Sequence, residues 1–350
     1  MTDVAVGRYG QLEDVVLEPA APALVSSSEY LLEWLPELWF GLLIVALGGY
    51  LLLDGFDFGI GILFAWAGEQ AREQMLAAFG PVWKANEVWL VFFGTVLFAG
   101  FPAVYANLLS RHYLLAFFIL GALILRGLGA KLHEERDDDQ WVRFWYSCFI
   151  GGSVLAPILL GMLVGSWMLG TATALAVGPV VVGVTVVALT VVLGSAFLSV
   201  KTTGELRQWA LNRGQRATVG YVALFVLTAA VIYLVYPEFQ STLLSVPTVV
   251  VVAVTLASAG GVLWAGQVSQ PRLALLGAGG MAVALVALVA HLLFPAADPA
   301  AGLSITDAIV SPLPLNIASL VALVFVPIVA FYFVFLYSVF SGPARPTDGY

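Results

Sequence analysis

Long apolar runs are the feature that most limits how this chain can fold. The sequence contains nine of them, each roughly 20 residues or more, near residues 38–65, 88–109, 113–131, 143–166, 178–200, 217–236, 246–266, 272–294 and 315–341. A helix of that length spans the hydrocarbon core of a bilayer. It also satisfies its own backbone polar groups, as lipid requires. The sequence therefore predicts an all-α polytopic membrane protein with nine transmembrane helices.

The composition excludes most other classes of protein. Hydrophobic residues make up 61% of the 350 residues and charged residues only 10%, against about 25% charged residues in an ordinary soluble domain. The net charge of −8 argues against a nucleic-acid partner, because binding needs lysine and arginine to neutralise phosphates. The single cysteine, Cys148, excludes an internal disulfide or a cysteine metal cluster.

The distribution of cations predicts the orientation of the chain. If the nine runs are helices, twelve of the 14 lysines and arginines fall on one side of the membrane, and only Arg8 and Arg111 fall on the other. Positive residues gather on the cytoplasmic side of membrane proteins. We therefore expect a multi-pass protein of the cell membrane, with its N-terminus outside and its C-terminus in the cytoplasm.

The ends of the chain differ from the apolar body. Residues 1–36 are polar and acidic and are expected to form a mobile outer tail. They lack the basic start and apolar core of a cleavable signal peptide, so the first run is expected to be an uncleaved span. Residues 37–342 are predicted to form the transmembrane helical domain, and residues 343–350 a short inner tail.

Two carboxylates interrupt the first apolar run near its inner end. Asp54 and Asp57 are three residues apart and therefore share one face of a helix. A carboxylate within a span costs roughly 2.5–3.5 kcal/mol at mid-helix and normally faces the bundle interior or a watery cavity. The pair is either a proton or ion site, or a buried structural pair. Arg126, near the inner end of the third run, either extends to the membrane surface or pairs with one of them.

A polar and aromatic segment leads into the second run from the inner side. It contains Trp83, Lys84, Asn86 and Glu87. Lys84 and Glu87 are three apart and can pair, and Glu87 in a first helical turn suits the helix dipole. Interfacial anchoring is the alternative interpretation of this segment.

Two local patterns predict where helices start and bend. Thr202 and Glu205 have the T-x-x-E spacing of a capping box and predict the start of a short interfacial helix. Pro102, Pro157 and Pro327 fall inside predicted spans, where a neighbouring helix can satisfy the freed carbonyl groups.

The histidines are too scattered to suggest a haem site. His112 lies in an outer turn, His133 in an inner loop, and His291 within a span near its outer end. A bis-histidine haem needs two facing ligands at similar depth. We expect this chain to ligate neither haem nor metal.

Four segments together resemble subunit II of the cytochrome bd-type quinol oxidases. The resemblance runs from about residue 38 to the C-terminus, and its first two motifs are specific. The segments are DGFDFG at 54–59; PVW at 81–83 with Asn86, VWL at 88–90, Phe101-Pro102 and Tyr105; Arg126 through Glu134-Glu135-Arg136 to Trp145 and Pro157; and KTTGEL at 201–206 with 327–332.

The resemblance implies two four-helix bundles plus one helix, and a partner. In this family, subunit I carries haems b and d and the quinol-oxidising loop, while subunit II supports it and helps to form the inner proton route. The complex oxidises quinol outside and reduces oxygen to water with protons from inside, so it generates a proton-motive force without pumping. A heterodimer with contacts to quinone and lipid is expected; a small accessory subunit is left open.

One position departs from the family pattern. The residue after the motif tryptophan, here Trp83, is commonly a carboxylate proposed to take part in inner proton uptake, but this chain has Lys84. A lysine is ordinarily protonated at neutral pH and cannot accept a proton. We therefore expect Glu87, one turn on, or Asp57 to take over that role.

Two other classes compete with an oxidase subunit. A secondary transporter would use the carboxylates of the first helix to bind protons or a cation. Transporters often repeat such a feature in both halves, and the second half of this sequence lacks a matching acid-bearing helix. A membrane scaffold without a redox role is the third interpretation.

Overall fold

The computed structural model describes residues 29–340 and 342–343. Residues 1–28 of the predicted outer tail and 344–350 of the predicted inner tail lie outside this part. The described elements are the helices α1 (Leu35–Leu63), α2 (Glu69–Phe79), α3 (Trp83–Gly100), α4 (Pro102–Arg111), α5 (Tyr113–Leu132), α6 (Asp139–Met168), α7 (Val177–Lys201), α8 (Gly204–Val235), α9 (Gln240–Leu243), α10 (Val246–Gln267), α11 (Pro271–Leu293), α12 (Ile305–Ala308) and α13 (Pro312–Val339), and the antiparallel strands β1 (Ala296–Asp298) and β2 (Leu303–Ser304).

The helices confirm an all-α polytopic membrane protein. Within the described residues, eight helices are long and apolar enough to cross a membrane. A ninth span results if α2 and α3, which are bent by 54° at their junction, count as one. The predicted number of nine therefore agrees with the upper count.

The second predicted span is divided in the structure. We expected residues 88–109 to form one helix with Pro102 inside it, but α3 ends at Gly100. Phe101 has φ −127° and ψ 61°, outside the helical region, and Pro102 begins α4. Proline has no N–H to donate, so it fits the first position of a new helix better than the interior of one. Pro157 and Pro327 do lie inside helices, as predicted.

The prediction of a capping box and a short interfacial helix at Thr202 is wrong. The Thr203 side chain makes no capping hydrogen bond, and α8 continues without a break for 32 residues from Gly204. The hydroxyl of Thr202 instead donates to the carbonyl of Leu198 at 2.7 Å. This side chain therefore completes the last turn of α7 rather than the first turn of α8.

The long helices pack in two groups of four. α1, α3, α5 and α6 form one group, while α7, α8, α10 and α11 form the other. α1 joins the groups, because it packs against α7 and α11 as well as α3 and α6. The backbones of α1 and α7 meet at Gly59 and Gly194, where a Cβ atom on either glycine would overlap the other helix.

The last helix stands apart from both groups. Of its 28 residues, only Leu315 and Asn316 are buried. Asn316 fixes the start of the helix, since its Nδ2 donates to the carbonyl of Glu29 at 2.9 Å and its Oδ1 accepts from the N–H of Leu31 at 2.9 Å. The remainder of α13 exposes apolar side chains, as expected of a surface that faces lipid or another chain.

Candidate functional site

A buried polar cluster lies where α1, α3 and α5 meet. It contains Asp54 and Asp57 of α1, Asn86 and Glu87 of α3, and Arg126 of α5, and we name these five residues the acid cluster. Asp54, Asp57, Asn86 and Arg126 are each at most 1% exposed. The fold thus brings together five of the seven residues that the sequence singled out.

Arg126 lies at the centre of the acid cluster. Its Nη2 is 2.8 Å from Oδ1 of Asp54 and 2.6 Å from Oε1 of Glu87. Its guanidinium also lies over the ring of Phe58, 4.3 Å from the centroid, a cation–π contact. Of the two alternatives for Arg126, the ion pair with Asp54 is therefore the one observed. The sequence suggested a pair between Glu87 and Lys84, but Glu87 pairs with Arg126 instead.

Asp57 is held by neutral groups. Asn86 donates from Nδ2 to Oδ2 of Asp57 at 3.0 Å. Tyr337, on α13, donates from its hydroxyl to Oδ1 of Asn86 at 2.8 Å. Sequence reasoning missed Tyr337, because it lies 251 positions from Asn86 and carries no local pattern of its own. From the sequence alone, a tyrosine near the end of a span is interpreted as an interfacial aromatic residue.

Several buried polar atoms of this region have no hydrogen-bond partner in the protein. They are Oδ1 and Oδ2 of Asp54, Oδ1 of Asp57, Nε and Nη1 of Arg126 and the hydroxyl of Tyr50. The contact between Arg126 and Asp54 is thus an ion pair without hydrogen-bond geometry. Buried polar groups are nearly always satisfied by protein or by ordered water. Ordered water is the ordinary partner of buried polar atoms of this kind.

The acid cluster runs from the surface to the interior. The Glu87 side chain is 36% exposed, while those of Arg126 and Asp54 are 2% and 0% exposed. Trp83 is buried beside the ring of Phe79. Lys84 is exposed and lies outside the ion pairs of the cluster. Glu87 is therefore the carboxyl through which the cluster reaches the surface.

The three histidines lie in separate places. His112 Nε2 is 2.9 Å from the hydroxyl of Ser166, and His291 Nε2 is 2.9 Å from that of Ser245. In the part of the chain that the structure describes, no group of three or more histidine, cysteine, aspartate or glutamate side chains could hold a metal ion.

A second buried polar group was not predicted from the sequence. Asp298 of β1 is 0% exposed and accepts from Nδ2 of Asn107 at 3.2 Å, and it pairs with Arg111 at 3.5 Å. His112 lies beside it. Burial and the charge of Arg111 lower the pKa of His112, and the charge of Asp298 partly opposes them. This group joins the α4–α5 junction to the hairpin through contacts that no spacing in the sequence reveals.

Comparisons with known proteins agree on one family. The family model of the cytochrome bd terminal oxidase subunit II matches residues 35–340. The cytochrome bd ubiquinol oxidase subunit 2 of Bacillus subtilis is 33% identical over 210 residues, which cover 56% of this chain and 62% of that protein. The cytochrome bd-I ubiquinol oxidase subunit 2 of Escherichia coli K12 is 29% identical over 214 residues, 56% of this chain and 55% of that protein. The matches thus span less than two thirds of the length of these relatives.

Proposed function

The chain belongs to the cytochrome bd terminal oxidase subunit II family, and from that premise we propose that it is a subunit of a quinol oxidase of the cell membrane. It would form a heterodimer with a subunit I that binds haems b and d and oxidises quinol. The exposed apolar length of α13 supports a partner or lipid at that surface. The relatives from Bacillus subtilis and Escherichia coli, each a subunit 2 of a cytochrome bd ubiquinol oxidase, support the same assignment.

Within that complex we assign the acid cluster to proton uptake from the cytoplasm. The observation that carries this proposal is the bridge by Arg126 between the partly exposed Glu87 and the buried Asp54. The guanidinium of Arg126 pairs with Asp54 and Glu87, while the buried Asp57 has no ion pair of its own, so a buried negative charge remains unless a proton balances it. Such a site can take up and release protons with little rearrangement.

The polar atoms without a protein partner support the same route. Water molecules bound between Tyr50, Asp54, Asp57 and Arg126 would satisfy them and would connect the carboxyl groups. Lys84 is exposed beside this path but has no carboxyl group. Glu87 is the partly exposed carboxyl of the acid cluster and would therefore receive protons first. The distribution of cations predicts that this end of α1 lies on the cytoplasmic side. Oxygen reduction would then be electrogenic without pumping.

The replacement Glu87→Gln tests the proton route. It preserves the size of the side chain but removes the group that binds protons. We expect quinol-driven oxygen uptake by the purified two-subunit complex to fall by roughly tenfold or more. Glu135→Gln is the matched control, since Glu135 is an exposed acid outside the acid cluster. Equal turnover in the wild type and both variants would remove Glu87 from the route.

Purification of a tagged chain tests the assignment to an oxidase. Reduced-minus-oxidised spectra should show haem bands together with a co-purifying second polypeptide. A colourless single polypeptide would contradict the proposal and would favour a proton-coupled transporter, which could also use the acids of α1.

A further inference from the structure

Tyr337 connects the last helix to the acid cluster, and we propose that it is a positioning residue for Asp57. It acts through Asn86, so the hydrogen bonding of Asp57 depends on where α13 sits. This inference rests on the proposed role of Asp57 in proton uptake, and it adds a regulatory input to that site from a helix that the sequence does not associate with it.

The amide of Asn86 links Tyr337 to Asp57. A carboxamide has one acceptor oxygen and one donor nitrogen, and rotation by 180° exchanges them. Tyr337 donates to Oδ1 at 2.8 Å, which leaves Nδ2 to donate to Oδ2 of Asp57 at 3.0 Å. Asn86 is 0% exposed, so bulk water cannot take the place of the phenol. In this arrangement the Tyr337 hydroxyl acts as donor and the amide nitrogen faces Asp57, which favours a carboxylate there.

Asp57 depends strongly on this amide. Arg126 is in contact with Asp54 and Glu87. The other oxygen of Asp57, Oδ1, has no hydrogen-bond partner in the protein. Asn86 donates the hydrogen bond that Asp57 receives at Oδ2, in addition to the nearby charge of Arg126, and a turned amide would place an oxygen against Asp57 instead.

The position of Tyr337 in turn depends on α13. Lys201, at the end of α7, donates from Nζ to the carbonyl of Phe340, one turn beyond Tyr337. The buried residues of α13, Leu315 and Asn316, lie at its opposite end. At the end that carries Tyr337, the Tyr337 side chain is half-buried against the main apolar core, and most neighbouring residues of the helix are exposed. A small displacement of this end would release Asn86 and change the affinity of Asp57 for a proton.

Redox-induced infrared difference spectra of the purified two-subunit complex test the inference. A carboxyl group that changes its protonation or hydrogen bonding gives a band, and the band of Asp57 is identified by its loss in Asp57→Asn. We expect Tyr337→Phe to shift that band and to slow oxygen uptake roughly two- to tenfold, the effect of one hydrogen bond. Tyr332→Phe is the control, because Tyr332 is an exposed tyrosine on the same helix.

The outcomes separate this inference from the proposed function. If Asp57→Asn removes no band and leaves turnover unchanged, Asp57 is not part of the proton route. A second outcome is that Asp57→Asn abolishes the band, but Tyr337→Phe has the same band position and the same turnover as Tyr332→Phe. In that case the positioning role of Tyr337 is wrong while the proton route stands. Should Tyr337→Phe fail to assemble, 3-fluorotyrosine at position 337 serves instead. It is a stronger donor of the same shape, so the Asp57 band should shift in the opposite direction, and an unshifted band would overturn the inference.

Discussion

At the scale of single residues, Arg126 decides how the buried carboxyls are balanced. It contacts Asp54 and Glu87 and lies over Phe58. A buried ion pair contributes little net stability, but removal of one partner leaves the other charge uncompensated. The burial of these ion pairs therefore makes the fold sensitive to the Arg126 side chain.

Replacement of Arg126 should show this sensitivity. We expect Arg126→Gln to destabilise the complex by about 3–5 kcal/mol, because Asp54 stays buried without its cation. Thermal unfolding of the detergent-solubilised complex measures the effect. Arg143→Gln, at an exposed position of α6, is the comparison and should unfold like the wild type. Addition of Asp54→Asn to Arg126→Gln should restore part of the loss; no restoration would contradict the ion-pair explanation.

His112 gives the second residue-level prediction, on pH. Its pKa is lowered in the folded protein by burial and by Arg111, so folding favours the neutral ring. The contribution of the neutral His112 ring to stability is complete above pH 6.5, about the pKa of a histidine in the unfolded chain. This contribution is lost as the pH falls below that value. We expect His112→Gln to lose less thermal stability between pH 7 and pH 5 than the wild type. His291→Gln, which alters the other serine-bonded histidine, is the comparison. An unchanged pH dependence in His112→Gln would refute the prediction.

At the scale of elements, the contact between α1 and α7 places the acid cluster. α1 carries Asp54 and Asp57, and Gly59, two residues beyond Asp57, lies against the backbone of Thr190 and Gly194. In lipid, such small residues let helices approach closely enough for packing to hold them together. The spacing of these two helices therefore sets the position from which the carboxyls meet α3 and α5.

A pair of alanine substitutions in α1 tests this contact. Gly59→Ala should destabilise the complex by about 1–3 kcal/mol, since its Cβ would overlap the backbone of α7. Gly41→Ala is the matched control in the same helix, because a Cβ there meets nothing within 4 Å. Alanine also has the higher helix propensity, so Gly41→Ala should be neutral or slightly stabilising. Equal unfolding temperatures for the two variants would contradict a close α1–α7 contact.

At the scale of the whole molecule, the orientation in the membrane decides which compartment the acid cluster faces. The asymmetry of lysine and arginine predicts that the loop between α5 and α6 is cytoplasmic and that the loop between α6 and α7 is external. The acid cluster shares the end of the bundle with the first of these loops, because Arg126 lies in the last turns of α5.

Cysteine labelling of intact cells tests the orientation. In a Cys148→Ser background, Thr173→Cys should react with a membrane-impermeant maleimide, whereas Asp137→Cys should react only after permeabilisation. Both positions are exposed in the structure. The reverse pattern would place the acid cluster on the external side and would exclude uptake of cytoplasmic protons through it.

The sequence by itself determined the class of fold and pointed to all five residues of the acid cluster, and its nine predicted spans agree with the upper count in the structure. The spans follow from local chemistry, since each apolar run must satisfy its own backbone in lipid. Asp54 and Asp57 were recognisable because three residues separate them on one helix. The same local reasoning missed the break at Phe101 and predicted a capping box that Thr202 does not form.

Only the tertiary structure decided which side chains meet. From the sequence, Arg126 could have reached the membrane surface. Its ion pairs with Asp54 and Glu87 depend on how α5 is placed beside α1 and α3. The link from Asn86 to Tyr337 crosses 251 positions. Contacts of this kind are set by helix packing, which is a property of the assembled bundle and leaves no periodic signal along the chain.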